Sequence, residues 1–139
     1  MAKNILYEDH SDLVGHELKM AILRALERCG SEAEGIAKDL CPQADDHIGD
    51  GQRLRQSITH AIDPKEPAVY IGTNNEYAAY VELGTGKYYP GGRPLPWNYM
   101  DALGDWHHTE GSEAQPYLKP AATEHMQTYR NIFRDELGK

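Results

Sequence analysis

Residues Tyr77–Gly86 read YAAYVELGTG, and the rest of the chain is organised around this stretch. It begins as an aromatic and apolar run, carries a single acid at Glu82, and ends in glycine–threonine–glycine. A glycine just past an apolar run commonly ends a helix, because it adopts the left-handed backbone conformation without steric cost. We therefore predict that Gly84 and Gly86 are structural turn positions that require backbone freedom.

The apolar residues of this stretch have helical spacing. Tyr77, Tyr80 and Val81 fall at i, i+3 and i+4, which predicts a common helical face. We expect residues 76–86 to form a short helix with a glycine stop, and these three side chains to be buried against a sheet or a long helix. Glu82 then either faces a neighbouring subunit or caps a nearby turn. A strand is the alternative, because the segment is apolar on nearly every side.

A long amphipathic helix is predicted upstream, over residues 11–41, after a lead-in of residues 1–10. Such a helix would be roughly 45 Å long, more than a compact domain of this size needs. It is either an ordinary core helix, or a helix of which part projects and packs on a neighbouring subunit. Gly30 and Gly35 predict a bend or break in its middle. The apolar positions recur every three or four residues, at Val14, Leu18, Ile22, Ala25, Cys29, Ala33, Ile36 and Leu40.

A strand pair is predicted over residues 58–72. Ile58, His60 and Ile62 alternate with Thr59 and Ala61, which is the period of a strand. Ala68–Gly72 reads AVYIG, a β-branched and aromatic segment typical of a second strand. The turn-forming sequence DPKEP separates the two, so we expect a hairpin. A helical turn over Gly51–Ser57 precedes it.

A loop and a second hairpin are predicted over residues 87–112. Lys87–Pro96 reads KYYPGGRPLP, whose prolines and glycines exclude regular structure. Trp97–Met100 and Asp105–Thr109 have the composition of two strands joined by a tight turn. We expect the tryptophans of the two strands to pair across the hairpin, and stacking on a ligand is the alternative.

A closing helix is predicted over residues 120–137. Pro120 suits the first turn of a helix, where its missing N–H costs no hydrogen bond. Gly138 follows the last apolar position and is expected to end the helix. One apolar stripe is formed by Ala122, Met126, Tyr129, Phe133 and Leu137.

Composition limits the classes of function. The chain has 139 residues, which predicts a single domain over residues 1–139. Its formal charge of −8 argues against a dedicated nucleic-acid binder or an anionic membrane surface, because lysine and arginine supply most of such affinity. No apolar run approaches the roughly 20 residues of a membrane span, and the first residues do not read as a signal peptide. Cys29 and Cys41 are expected to be reduced thiols of a cytoplasmic protein, since one helix would hold them roughly 18 Å apart.

No motif predicts catalysis, a cofactor or a metal. The loop after Pro42 carries Asp45, Asp46, His47 and Asp50, but it lacks the regular alternation and distal glutamate of a calcium loop. His107 and His108 would point to opposite faces of a strand and could not readily share one ion. No nucleophile signature or phosphate-binding glycine loop is present. We therefore predict a protein that is not an enzyme, with no catalytic, cofactor-binding or metal-binding residues.

Several segments together carry a family resemblance. They are Leu40-Cys41-Pro42, Gly51–Ile58, Val69–Asn74 (VYIGTN), Tyr77–Gly86 and Gln115–Ala121 (QPYLKPA). In this order and spacing they resemble the tail-completion or head–tail joining (neck) proteins of long-tailed bacteriophages and prophages, the gene-product-ten-like phage proteins. The resemblance covers residues 11 to 137. The hairpin over Trp97–Thr109 is an elaboration that shorter members of the family lack.

The resemblance implies an α+β fold, in which a long N-terminal helix and a C-terminal helix pack on a small, mostly antiparallel β-sheet with a protruding hairpin. It implies a structural virion protein whose copies form a ring, commonly a hexamer, between the connector or head-completion protein and the tail tube. The protein would then be made in the host cytoplasm and reside in the virion, with DNA passing through its channel without specific binding. We expect subunit or partner contacts from Tyr80, Glu82, Tyr88, Tyr89, Arg93, Trp97 and Trp106.

Two other classes of function stay open at this point. One is a small-ligand or metal-dependent enzyme, which would need Asp50, Glu82, His107 and His108 to converge in one pocket. The other is a prophage-encoded module that binds a host protein. Metal analysis of the purified protein discriminates the first, and capture of host rather than phage proteins discriminates the second.

Overall fold

A single long helix forms the spine of the fold. The computed structural model describes residues 9–42, 51–101 and 103–139, and α1 runs from Ser11 to Leu40 as the sequence predicts. Its buried residues begin at Ala21, whereas every residue from 11 to 20 is exposed. The apolar stripe is therefore buried only in its middle. Val14 and Leu18 at one end and Leu40 at the other lie at the surface.

Of the bend or break predicted at Gly30 and Gly35, the break is wrong, because helical structure continues through both residues. The bend stays a prediction. Gly35 is exposed, and a β-carbon there would meet no atom within 4 Å. Gly30 is buried, and a β-carbon there would lie 2.6 Å from the ring of His60 and 2.7 Å from Val69. Gly30 thus lets a strand pair approach the helix axis closely.

The predicted strand pair is confirmed. Strands β1 (Thr59–Asp63) and β2 (Ala68–Gly72) form an antiparallel pair in which Thr59 lies opposite Gly72 and Asp63 opposite Ala68. Helix α2 (Gly51–Ser57) precedes the pair, also as predicted. Ile58, expected in the first strand, instead joins α2 to β1 and is fully buried.

Helix α3 spans Ala78–Leu83, two residues shorter at its start than predicted. The expected burial of Tyr77 and Tyr80 is wrong, since both side chains are more than half exposed. The predicted burial of Val81 is confirmed, because the helix turns Ala78 and Val81 towards the core and places the two tyrosines on the outer face. Both faces of this segment are apolar, so its periodicity alone could not select the buried one.

The predicted second hairpin is also confirmed. Strands β3 (Trp97–Met100) and β4 (Trp106–Thr109) form a separate antiparallel pair. The predicted pairing of the tryptophans is wrong, because Trp97 lies opposite Thr109, and Trp106 opposite Met100. The loop before it contains one 3₁₀ turn, Gly86–Tyr88, where no regular structure was expected.

The closing helix is two helices, α4 (Leu118–Thr123) and α5 (Met126–Leu137). Glu124 and His125 separate the two helices, and His125 has a φ of −120°. The predicted continuous stripe is wrong at Ala122, Met126 and Leu137, which are exposed, while Ala121 is fully buried. Helix α5 runs antiparallel to α1, with Tyr129 near Cys29 and Glu136 near Arg24.

A small core lies where the C-terminal half of α1 meets α2, α3 and α4. Tyr117 and Ile58 are its largest fully buried side chains. The two cysteines are free and buried, as the sequence predicts for reduced thiols. The fold is α+β, with two small antiparallel sheets. The core cluster consists of Ala37, Cys41, Leu54, Ile58, Ala78, Tyr117 and Ala121.

Candidate functional site

The loop and second hairpin form a projecting arm, defined here as residues 87–110. Of the helices and strands that the structure describes, none packs extensively against β3 or β4 except these strands themselves. Most side chains of both strands are exposed. The arm is thus held to the body of the molecule mainly at its base.

The base of the arm is built from paired backbone segments. The Thr85 amide donates to the Ser112 carbonyl at 2.9 Å, and the Ser112 amide donates to the Thr85 hydroxyl at 2.9 Å. One step outward, the Lys87 amide donates to the Glu110 carbonyl at 3.2 Å, and their side chains form an ion pair. This ion pair raises the pKa of Lys87 and lowers that of Glu110.

Glycines at the base allow these segments to approach. Gly84 has φ +80° and ψ 175°, a conformation that essentially only glycine adopts. Gly86 has φ +63°, and a β-carbon there would overlap the carbonyl oxygen of Glu110. The prediction that both positions require backbone freedom is confirmed.

Glu82 joins the chain entering the arm to the chain leaving it. One carboxylate oxygen accepts the Tyr117 and Leu118 amides at 2.7 and 2.9 Å, and the other accepts the Lys119 amide at 2.9 Å. These amides open α4, where backbone N–H groups have no partner within the helix. Of the two roles predicted for Glu82, the cap of a nearby turn is confirmed. The predicted contact of Glu82 with a partner stays a prediction. Both oxygens of its carboxylate already accept hydrogen bonds within the chain.

The two faces of the hairpin differ in character. On one face, Tyr99 stacks on His107 with ring centroids 5.2 Å apart, and His107 Nε2 lies 2.6 Å from a carboxylate oxygen of Asp101. This contact and two backbone amides lower the pKa of Asp101. The other face carries Met100 and Trp106, of which the tryptophan is 68% exposed.

The predicted contact residues lie along the arm and on α3. Tyr80, Tyr88, Tyr89 and Trp106 are all exposed, so each is accessible to a partner. Trp97 is half-buried, and the Arg93 guanidinium lies 5.5 Å from its ring centroid, a cation–π contact. The structure therefore does not gather these residues into one patch, since Tyr80 lies on α3 and the tryptophans lie on different faces of the hairpin.

A second exposed apolar surface lies at the start of α1, the helix for which the sequence left open a projecting part that packs on a neighbouring subunit. Leu13, Val14, Leu18 and Met20 are exposed there. Val14 and Leu18 line a groove of about 500 Å³ that Leu137 and Glu136 of α5 close on the other side. One feature of the sequence indicates this surface. Leu13 and Met20 fall outside the predicted apolar stripe of α1 and widen the apolar surface at its start.

Charged side chains fix α5 against α1 beside this groove. Glu136 is buried, and it accepts hydrogen bonds from Arg28 at 2.9 Å, Lys139 at 3.2 Å and Arg24 at 3.3 Å. Arg28 is the largest cause of the lowered pKa of Glu136, followed by Lys139. Arg28 also pairs with Asp135 at 2.6 Å.

A histidine is held between two acids on the opposite side of α1. His60 of β1 lies 2.8 Å from Glu27 and 3.4 Å from Glu34, directly over Gly30. The hydrogen bond with Glu27 is the main reason that the pKa of His60 is raised above its ordinary value. Sequence alone assigned His60 only to a strand.

One buried hydroxyl has no hydrogen-bond partner among the described residues, that of Tyr117. Burial raises the pKa of Tyr117 to about 12. Burial also raises the pKa values of the Cys29 and Cys41 thiols, so both stay protonated and unreactive near neutral pH.

The residues of the enzyme alternative do not converge where they are described. His107 contacts Asp101, whereas His108 contacts Asn98 on the other face of the hairpin. Within residues 9–42, 51–101 and 103–139, no group of three or more His, Cys, Asp or Glu residues is placed to hold a metal ion. Asp45, Asp46, His47 and Asp50, weighed above as a cation loop, lie outside those ranges. No described helix is long and apolar enough to cross a membrane.

Comparison with known proteins adds no relative. No protein-family model, no curated protein and no solved structure matches this chain.

Proposed function

We propose that this chain is a structural virion protein of the head–tail junction of a long-tailed bacteriophage. Its copies would form a ring, expected to be a hexamer, between the connector or head-completion protein and the tail tube. The observation that carries the proposal is the arm, which exposes aromatic side chains and packs on little of its own chain. The head–tail junction is proposed as the location because an ordered set of segments in the sequence resembles the phage neck family.

The distribution of apolar side chains supports self-association. Among the described residues, eighteen large hydrophobic side chains are exposed, including those of the arm and of the start of α1. In the same described part of the chain, the buried hydrophobic residues are mostly alanine and cysteine, and the large ones are Leu26, Leu54, Ile58 and Tyr117. Contiguous exposed apolar surface on a small protein marks sites of protein–protein contact. Tyrosine and tryptophan are enriched in such sites.

The acidic character of the chain suits a channel for DNA. With a formal charge of −8, a ring of several copies repels phosphate, so DNA would pass without being gripped. Reversing acids that a ring structure places in the lumen should slow DNA delivery and lower the infection rate. An unchanged infection rate would contradict this part of the proposal.

The experiment that tests the proposal is made on purified virions from the phage or induced prophage that encodes the chain. Mass spectrometry should detect the protein in intact particles, and electron microscopy should place it as a ring at the head–tail junction. A knockout should give filled heads without attached tails. Absence from purified virions would refute the proposal, and recovery with host proteins instead would favour a host-binding module.

A matched pair of variants sharpens the test. Trp106→Ala removes the most exposed aromatic side chain of the arm, and Leu95→Ala removes an equally exposed side chain from the loop before β3. We expect Trp106→Ala to reduce incorporation into virions, because exposed aromatic residues are the usual anchors of protein contacts. Leu95→Ala should leave incorporation unchanged.

A further inference from the structure

The tip of the arm is an apolar surface on which none of the described helices or other strands packs extensively. Met100 and Trp106 face each other across the strands, and Leu103 follows in the turn. All three side chains are more than half exposed. A ribbon of two four-residue strands is marginally stable alone, so covering this face would stabilise it.

The groove between α1 and α5 offers a surface of matching size and chemistry. Val14, Leu18 and Leu137 line it, and its volume of about 500 Å³ can accept one or two large side chains. It lies at the end of α1 where every residue from 11 to 20 is exposed. Its apolar lining is therefore accessible from solvent.

The charges beside the two surfaces are opposite. The segment from Met100 to Trp106 carries two acids and no base; of these, Asp105 is exposed, while Asp101 is held by His107. At the groove, the side chain of Glu136 is only 5% exposed, whereas those of its partners Arg24 and Lys139 are 54% and 59% exposed. The groove therefore presents these two cations, with Glu17 as an exposed acid in its lining and Asp135 3.9 Å from Lys139.

We infer that the arm tip of one copy docks into the α1–α5 groove of a second copy. The inference rests on the proposed function only in requiring that copies of the chain associate. The contact joins two different surfaces, so it is head-to-tail, and a bound pair of copies leaves one free arm and one free groove. Repetition closes into a ring if the rotation between copies closes, and extends into a filament if it does not.

Cross-linking between two singly substituted full-length chains tests the contact directly. His16→Cys places a thiol in the groove lining, and Leu103→Cys places one at the arm tip, leaving Trp106, Val14 and Leu18 intact. The native Cys29 and Cys41 are buried, so we expect them not to react with the cross-linker. A short bismaleimide is added to an equimolar mixture of the two chains.

The control keeps the arm and moves the thiol to its other end. The control chain carries Leu95→Cys. The side chain of Leu95 is 70% exposed, close to the 68% of Leu103, but it lies in the loop before β3. We expect the His16→Cys chain to cross-link to the Leu103→Cys chain about tenfold faster than to the Leu95→Cys chain, because docking raises the effective concentration of the thiol. Asp105→Asn in the arm chain should slow the reaction by removing a charge. Added salt should slow the reaction of the Leu103→Cys chain that keeps Asp105, because it screens the same attraction.

Each other result overturns the inference. Equal rates for the Leu103→Cys and Leu95→Cys chains mean that the arm tip does not find the groove. Faster coupling of His16→Cys with itself means that two grooves face each other, and faster coupling of Leu103→Cys with itself means that two arms do.

A second measurement separates this inference from the proposed function. If the protein is present in virions but the arm–groove pair shows no preferential cross-linking, the docking inference fails and the virion role stands. If the pair cross-links preferentially in solution but the protein is absent from virions, the virion role fails and the docking inference stands.

Discussion

The two hairpins of this protein are nearly identical in local structure and opposite in environment. Both β1–β2 and β3–β4 are antiparallel pairs of four or five residues. The first lies on α1, where His60 and Val69 pack over Gly30. The second extends from a base of glycines and has no comparable support among the described elements.

The difference shows that two kinds of information build this fold. Alternation and turn residues are local, and they suffice to form either hairpin. What a hairpin packs against depends on a distant residue such as Gly30, or on another molecule. One hairpin thus contributes to the stability of the chain, and the other is available for a partner.

The largest expected effect lies at the base of the projecting hairpin. Gly84→Val forces a β-branched residue into a conformation that essentially only glycine adopts, and its β-carbon would lie 2.9 Å from the backbone at Ser112 and Ala114. We expect a loss of at least about 2 kcal/mol in the free energy of unfolding, from backbone strain and steric overlap together. Urea denaturation followed by far-ultraviolet circular dichroism measures it.

Gly91→Val is the matched control, because Gly91 has nearly the same φ of +81° but no atom within 4 Å of an added β-carbon. Gly91→Val should lower the free energy of unfolding by about 1–2 kcal/mol, because only the left-handed backbone conformation is unfavourable for the new side chain. Equal losses for the two variants would mean that the close approach at the base contributes nothing.

The next effect lies under the packed hairpin. Gly30→Ala places a β-carbon 2.6 Å from His60, and we expect it to lower the free energy of unfolding by about 1–3 kcal/mol through overpacking. Gly35→Ala lies in the same helix with open space around it, and should raise the free energy of unfolding by about 0.5–1 kcal/mol. Equal gains from both substitutions would show that the strand pair does not rest on Gly30.

These glycines also show where sequence reasoning succeeded and failed. The turn glycines Gly84 and Gly86 were predicted correctly, because a positive φ leaves a local signature at the end of a helix. Gly30 and Gly35 were predicted alike as weak points of α1, because propensity does not reveal which glycine a distant strand will contact. Only tertiary packing makes Gly30 a requirement and Gly35 a replaceable residue.

The candidate site divides in the same way. The projecting hairpin was predicted from its turn and strand composition. Tyr88, Tyr89 and Trp106 are exposed, and their role in contacts stays a prediction. Tyr77 and Tyr80 were placed on the wrong side of α3, because both faces of that helix are apolar. The groove at α1 was missed, because it exists only where α5 returns along α1 after the break at His125.

A smaller effect is the pH dependence that His60 gives the packed hairpin. Because contact with Glu27 and Glu34 raises the pKa of His60 in the folded state, its stabilisation is fully present below the ordinary value of 6.5 and is lost as the pH rises through the folded-state pKa. We expect the free energy of unfolding to fall over this window. Denaturant titrations between about pH 6 and about pH 8 measure the slope.

Glu27→Gln should flatten this slope, because it removes the main cause of the raised pKa. His108→Gln serves as the control, since it removes a histidine from the projecting hairpin, away from the contacts of His60. A slope that survives Glu27→Gln would show that His60 does not carry the pH dependence.

The smallest effect on the isolated chain is expected at the tip of the projecting hairpin. Trp106→Ala removes a large aromatic side chain that is mostly in solvent, so the free energy of unfolding should change by no more than about 0.5 kcal/mol. Ile71→Ala, in the packed hairpin, removes a smaller side chain that contacts the core, and should cost roughly 1–2 kcal/mol, because burial rather than size decides the loss. Chemical denaturation at a protein concentration where the chain is monomeric compares them. A loss for Trp106→Ala as large as that for Ile71→Ala would mean that the arm folds back onto its own chain, and the distinction between a supporting hairpin and a docking hairpin would be lost.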